Sequence, residues 1–352
     1  YKDSFKTAFK FFIFTHAGAI FVLLGIGAIY MLTGTLDIFQ AQAILATKDP
    51  AILNWILISF TAGFAVKMAI VPLHMWLPDA HGEAPAPMSA LLSGVIIGAG
   101  GYAVLRIALG TVYSAMMPVG NEFLLALSFF GVISAFYGSL LALAETDIKR
   151  IIAYSSISHM GYTLFALSLY PFPEGITGGV LHLVNHAASK GLLFLTAGAV
   201  MHQTGLRNIK DMGGLASKMP ITAIASAIAA FSIGGIPPFA CFISEFHIFV
   251  GAVTAAGSNS AYYLPTVLML IATVFSLAYV LRYFWKVFLG TPKLKTEDKL
   301  ATADAKDAQK TKNLDPPIFM IIAMLALAAF VVLLGIYPGI FIDLIHAVTS
   351  II

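Results

Sequence analysis

The chain has 352 residues, 59% of them hydrophobic and 11% charged, with a formal net charge of +3. Soluble domains carry about 25% charged residues, so a soluble globular protein is excluded and an integral membrane protein is expected. The single cysteine, Cys241, excludes an internal disulfide framework, a CxxC-type metal site and a cysteine-held Fe–S cluster.

The chain begins at Tyr1 without a signal-peptide pattern, as a processed chain or a piece of a longer one would. About 20 apolar residues are needed to cross the hydrocarbon. Nine such segments are predicted, at 8–33, 51–73, 86–109, 121–145, 151–170, 176–202, 220–254, 262–290 and 316–342. The second is interrupted at Pro72 and the seventh contains "SIGGIPPF". The stretch 291–315 is polar and charged, and reads as a solvated linker.

Basic residues test this map, because cytoplasmic loops are enriched in Lys and Arg. With nine crossings, sixteen of the twenty lie on one side, from Lys2, Lys6 and Lys10 to the 291–315 linker. Only Lys48 and Arg106 lie on the other, and Lys67 and Lys190 lie inside apolar segments. The rich side, with the N-terminal residues and the linker, is expected to be cytoplasmic.

A charge at a helix centre costs about 2.5–3.5 kcal/mol on insertion scales. Lys67 is deep enough in its segment to favour an internal polar cavity and a carboxylate partner over snorkelling to the headgroups. Pro72 removes a backbone donor five residues on, and in hydrocarbon freed carbonyls need buried or watered partners. The second interruption carries Gly234, Gly235, Pro237 and Pro238, with Glu245 seven residues later among apolar neighbours. Paired interruptions of this kind point to an ion site between repeats. The two broken helices are five segments apart, which predicts inverted five-helix repeats with the first incomplete.

Between the breaks, His182, His186 and Lys190 recur at i, i+4, i+8 on one helix face, widened by Asn185 and Ser189. Stacked ionisable groups in a membrane helix suggest a proton relay. Haem ligation is disfavoured, since two histidines on one face would compete for one side of a ring. His159 extends the relay or, with Tyr154, Ser155, Ser156 and Ser158, glues helices together. His16 is isolated. Asp79, His81 and Glu83 read as loop and cap residues.

Several stretches resemble one family. They are "VKMAIVPLHMWLPDAHGEAPAPMSALLSG", "DIKRIIAYSSISHMGY", "HLVNHAASKGLLFLTAGAV", "GGLASKMP" and "GGIPPFACFISEF". The chain resembles the antiporter-like subunits of respiratory complex I, of Mrp antiporters and of membrane-bound hydrogenases, with "SSISHMGY" leaning toward the middle-type complex I subunit. The resemblance implies an all-α polytopic protein corresponding to the later helices of such subunits, with earlier ones before Tyr1. The expected division is residues 1–110 for the rest of the first repeat, 111–290 for the second, the 291–315 linker, and a C-terminal helix in 316–352.

By position, the resemblance makes Lys67 the proton-loading lysine of the first broken helix, Lys190 the central lysine and Glu245 the terminal residue. The family's glutamate partner for Lys67 would lie upstream of Tyr1. Where many relatives have a basic residue after the first break, this chain has Gly98. The implied function is translocation of protons, with sodium as the alternative ion, within a redox-driven translocase of the NADH:quinone oxidoreductase or hydrogenase type. The competing readings are a stand-alone antiporter and a structural spacer. No cofactor, metal or nucleic acid is expected on this chain. Fe–S clusters and a flavin or NiFe centre would sit in partner subunits, beside neighbouring antiporter-like subunits and lipid. The expected setting is a prokaryotic cell membrane or that of an energy-converting organelle.

Overall fold

The computed structural model describes residues 4–116, 122–291 and 314–349, with side chains to residue 347. The described residues are helical apart from turns and one isolated bridge between Asp147 and Asn208. In chain order the helices are α1 (Ser4–Thr33), α2 (Ile38–Leu45), α3 (Pro50–Met68), α4 (Leu77–Glu83), α5 (Ala86–Tyr113), α6 (Glu122–Ala144) and α7 (Ile148–Leu167). There follow α8 (Pro173–Thr204), α9 (Pro220–Ile233), α10 (Ala240–Ser258), α11 (Ser260–Leu289), α12 (Ile318–Ile336) and α13 (Gly339–Thr349).

All nine predicted segments fold as helix, and seven described helices are long and apolar enough to cross a membrane. The chain is a polytopic integral membrane protein. Of the others, α9 is short because its segment is broken. α7 and α8 are long but polar, which burial permits: in α7 every residue except Arg150 and Tyr154 is buried. α8 packs against α7, α9, α10 and α12, so its polar stripe faces protein rather than lipid.

α6 and α7 approach closely because small residues meet between them. A Cβ added at Gly161 would lie 2.5 Å from the Gly131 carbonyl oxygen, and one at Gly138 would lie 2.5 Å from the Ser158 nitrogen.

Both breaks lie where the prolines predict, and both are satisfied internally. α3 begins with Asp49 capping Ala51 N–H and Pro50 in its first turn, and ends at Ala69 in the left-handed region at φ 56°. The Val66 carbonyl accepts from Ala69 N–H at 3.1 Å and from Trp76 Nε1 at 3.0 Å, and Val71 N–H donates to Ser134 Oγ of α6 at 3.1 Å. At the second break Gly235 has φ 66°. Ile236 N–H returns to the Phe231 carbonyl at 3.0 Å, and the Ala240 carbonyl accepts from Asn185 Nδ2 of α8 at 2.6 Å. These side chains replace the water that the backbone lacks at that depth.

The charged end is tied together. Asp79 pairs with Lys10 at 2.7 Å and Arg150 at 3.1 Å, Arg150 with Glu145 at 3.1 Å, and Arg207 with Asp147 at 2.7 Å. Lys149 donates to the Ala84 carbonyl, and Arg282 to that of Glu145 at 2.9 Å. Residues that the crossing count assigned to one side thus meet at one end of the bundle.

Three expectations are corrected. The last segment ends at Ile336 and turns at Pro338 into the separate helix α13, because proline cannot continue the ladder. Asp315 belongs to a cap, since its carboxylate accepts from Ile221 N–H, Thr222 N–H and Thr222 Oγ1 at 2.8–3.1 Å; residues 292–313 of the linker lie outside the described residues. His81 is fully buried against the Phe194 ring of α8, centroids 4.6 Å apart, because α4 packs against α7.

Candidate functional site

The second half of the molecule holds a continuous buried hydrogen-bonded chain across four helices. It starts at Lys190 on α8, which donates to Ser155 Oγ of α7 and reaches the Ile152 carbonyl at 3.5 Å. Ser155 donates to the Tyr279 hydroxyl of α11 at 2.7 Å. Tyr279 lies 3.1 Å from His159 Nε2, and His159 Nδ1 lies 3.1 Å from His182 Nε2. His182 Nδ1 then meets Ser244 Oγ of α10 at 3.0 Å. Ser276 braces the middle at 3.0 Å from Tyr279 and 3.3 Å from His159.

Glu245 closes the far end. Its carboxylate, with His159 and His182, offers ligand atoms all within 4.8 Å of one another, and its Oε1 has no hydrogen-bond partner among the described residues. The Gly235 turn makes room, because a Cβ there would lie 2.5 Å from Glu245 Oε2. The break therefore positions the carboxylate.

The predicted residues separate into two groups. His159, His182, Lys190 and Glu245 come together. His186 joins them by packing, its ring 5.9 Å from His159 and 6.5 Å from His182, with neither nitrogen partnered. His159 is thereby a member of the hydrogen-bonded chain, and its bonds to Tyr279 and His182 also tie α7 to α11 and α8.

Lys67 stands apart. It is exposed, and lines a cleft of about 440 Å³ among small and apolar residues of α1, α3 and α5. It has no ion pair among the described residues. On the α5 side, the place of the missing basic residue is apolar: Leu183 Cδ2 lies 3.8 Å from a Cβ built at Gly98 and 3.0 Å from one at Gly101. Pro72 shapes the break beside Ser134 rather than touching the histidines.

Tyr279, Ser276 and Ser244 were missed by sequence reasoning. Ser276 and Tyr279 do share a face at i, i+3 in an apolar helix, which is a weak signal. His81 was mistaken for a turn residue. It sits at the level of Phe194, one turn beyond Lys190 along α8, with both ring nitrogens unpartnered.

Rows of groups that both donate and accept, running between a buried ammonium and a buried carboxylate, are suited to handing on protons. A family model described as NADH:quinone oxidoreductase/Mrp antiporter, TM, matches residues 1–279. The chain belongs to that family.

Among relatives, Hydrogenase-4 component B of Escherichia coli K12 is 32% identical over 95% of this chain and 49% of its own length. NADH-quinone oxidoreductase subunit M of Pseudomonas aeruginosa is 32% identical over 96% of this chain and 62% of its own. The chain therefore spans about half to two thirds of the curated relatives it matches. Among solved structures, a chain of an archaeal membrane-bound sulfane sulfur reductase superposes with TM-score 0.83 at 31% identity, covering 96% of this chain and 54% of that one. A chain of Thermus thermophilus respiratory complex I gives 0.83 at 26% identity, covering 99% and 68%. A chain of the Dietzia Mrp complex gives 0.81 at 22% identity, covering 98% and 67%, and shows the shared fold.

Proposed function

We propose that this antiporter-family chain is a proton-translocating membrane subunit of a multisubunit oxidoreductase, with its relay in the second repeat. The observation that carries this reading is the unbroken buried path Lys190–Ser155–Tyr279–His159–His182, with Glu245 beside its end. A proton entering at Lys190 moves by reorientation of the hydroxyls and a tautomer exchange at His159. Imidazoles and hydroxyls conduct protons, whereas sodium wants a cage of oxygens, so the donor set favours protons over the alternative ion.

His81, with neither ring nitrogen partnered among the described residues, extends the polar column from Lys190 toward the charged end, and His186 lies one turn the other way along α8. That end is assigned to the cytoplasm by its basic residues. Lys67, standing off the path, acts on it by charge through the low-dielectric interior. A carboxylate on a helix packed in its cleft would balance it. With Cys241 as the single cysteine, a cysteine-held Fe–S cluster would belong to partner chains.

The test is Lys190→Ala in the native complex, with Lys67→Ala beside it. Proton translocation should be lost while electron transfer continues in part. A normal proton-to-electron ratio in Lys190→Ala would sink the reading.

A further inference from the structure

The meeting of His159, His182 and Glu245 has a second consequence. The tautomer of His182 is set by its surroundings. Ser244 Oγ donates to the Cys241 carbonyl at 2.9 Å, so it is an acceptor toward His182 Nδ1. The proton of His182 therefore sits on Nδ1 and the Nε2 lone pair points inward, toward His159 Nδ1 at 3.1 Å. When Tyr279 turns its hydroxyl hydrogen to Ser276, its oxygen accepts from His159 Nε2, and the His159 Nδ1 lone pair points inward too. Two imidazole lone pairs then face the 3.1 Å gap between the rings, a carboxylate oxygen of Glu245 lies in a group of ligand atoms all within 4.8 Å of one another, and Glu245 Oε1 has no partner among the described residues. All three side chains are buried, Glu245 being 7% exposed.

We propose that His159 Nδ1, His182 Nε2 and the Glu245 carboxylate form a site for a divalent transition-metal ion of the zinc type, and that its occupation blocks the relay. Two nitrogens about 2.0–2.1 Å from a tetrahedral ion lie about 3.3 Å apart, close to the 3.1 Å observed. Two histidines and a glutamate with a fourth position open is a ligand set that zinc uses. Sodium and magnesium would be poor occupants, preferring oxygen donors. The outer nitrogens both have the hydrogen-bond partners that orient ligating histidines, Tyr279 and Ser244. Entry is through the second break, where Pro237 and Pro238 are exposed and Glu245 retains its small exposure. The bound ion takes the place of the proton between the two imidazoles, so proton hand-over there stops.

The site stands on geometry alone, whereas the blocking effect rests on the proton-relay reading. The experiment is equilibrium binding of radioactive zinc to the purified native complex, with zinc X-ray absorption and proton translocation measured on the same samples. The expected result is one zinc with two nitrogen neighbours that is lost in His182→Gln and Glu245→Gln. In Ser244→Ala it should bind about 10–100-fold more weakly, and translocation in the unsubstituted complex should halve at the zinc concentration that half-fills the site. Ser244→Ala keeps all three ligands and decides the matter if the other two variants do not assemble. No difference in bound zinc between unsubstituted and variant complexes overturns the site. Zinc bound there with translocation unchanged keeps the site and overturns the relay.

Discussion

The Tyr279 hydroxyl lies 3.1 Å from Nε2 of His159, and among the described residues it joins the lysine half of the buried chain to its histidine half. Ser155 reaches it from one side at 2.7 Å. Tyr279→Phe would keep the ring and remove the link. Translocation is expected to fall by about 100-fold, the low end of what a positioned proton-transfer group supplies, with electron transfer retained in part. The stripped Ser155 would destabilise the fold by about 1–3 kcal/mol. Proton-to-electron ratios in reconstituted vesicles measure this, and a ratio equal to that of the unsubstituted complex would remove Tyr279 from the path.

Gly235 is a stricter test of the second break. At φ 66°, with Glu245 Oε2 2.5 Å from any added Cβ, alanine there must both strain the backbone and displace the carboxylate. The left-handed strain costs about 1–2 kcal/mol. Gly235→Ala should assemble with a lowered melting temperature and lose most translocation. Gly257→Ala, near the end of α10 with nothing within 4 Å, should do neither. Equal behaviour of the two variants would show that the turn does not position Glu245.

The cap made by Asp315 is open to a simple stability measurement. Its carboxylate serves two backbone N–H groups and a hydroxyl at the start of α9. Asp315→Ala should cost about 0.5–2 kcal/mol and lower the melting temperature without changing ion specificity. An unaltered melting curve would mean that the capping interaction adds nothing.

The charged end predicts an acid dependence through Glu145, in the turn between α6 and α7. Burial alone would raise its carboxyl. The Thr146 and Asp147 N–H groups, with Arg150, outweigh burial and hold it below the usual carboxylate range. A carboxyl depressed in the folded state stabilises fully above the ordinary carboxylate pKa, and that stabilisation disappears as pH falls through its lowered value. Melting temperatures from pH 7 down to 4 should therefore fall less steeply in Glu145→Gln. Parallel slopes for the two proteins would assign the acid sensitivity elsewhere.

The sequence by itself determined the membrane class, the helical segments and the two breaks. Those properties are local: apolar runs of bilayer length, prolines that stop a ladder, and lysines that stay at one end. The i, i+4, i+8 stripe of His182, His186 and Lys190 was legible for the same reason, since one helix fixes it. Only the tertiary structure decided which polar groups meet. Tyr279 is 120 residues from His159 in sequence, and no periodicity within one helix records a contact with another. His81 looked like a turn residue because its burial depends on α4 packing against α7. The family resemblance made Lys67 the proton-loading lysine, but Leu183 fills the space beside Gly98 and Gly101 and the lysine faces an outer cleft. Helix periodicity specifies the faces; packing of small residues such as Gly138 and Gly161 decides which faces touch.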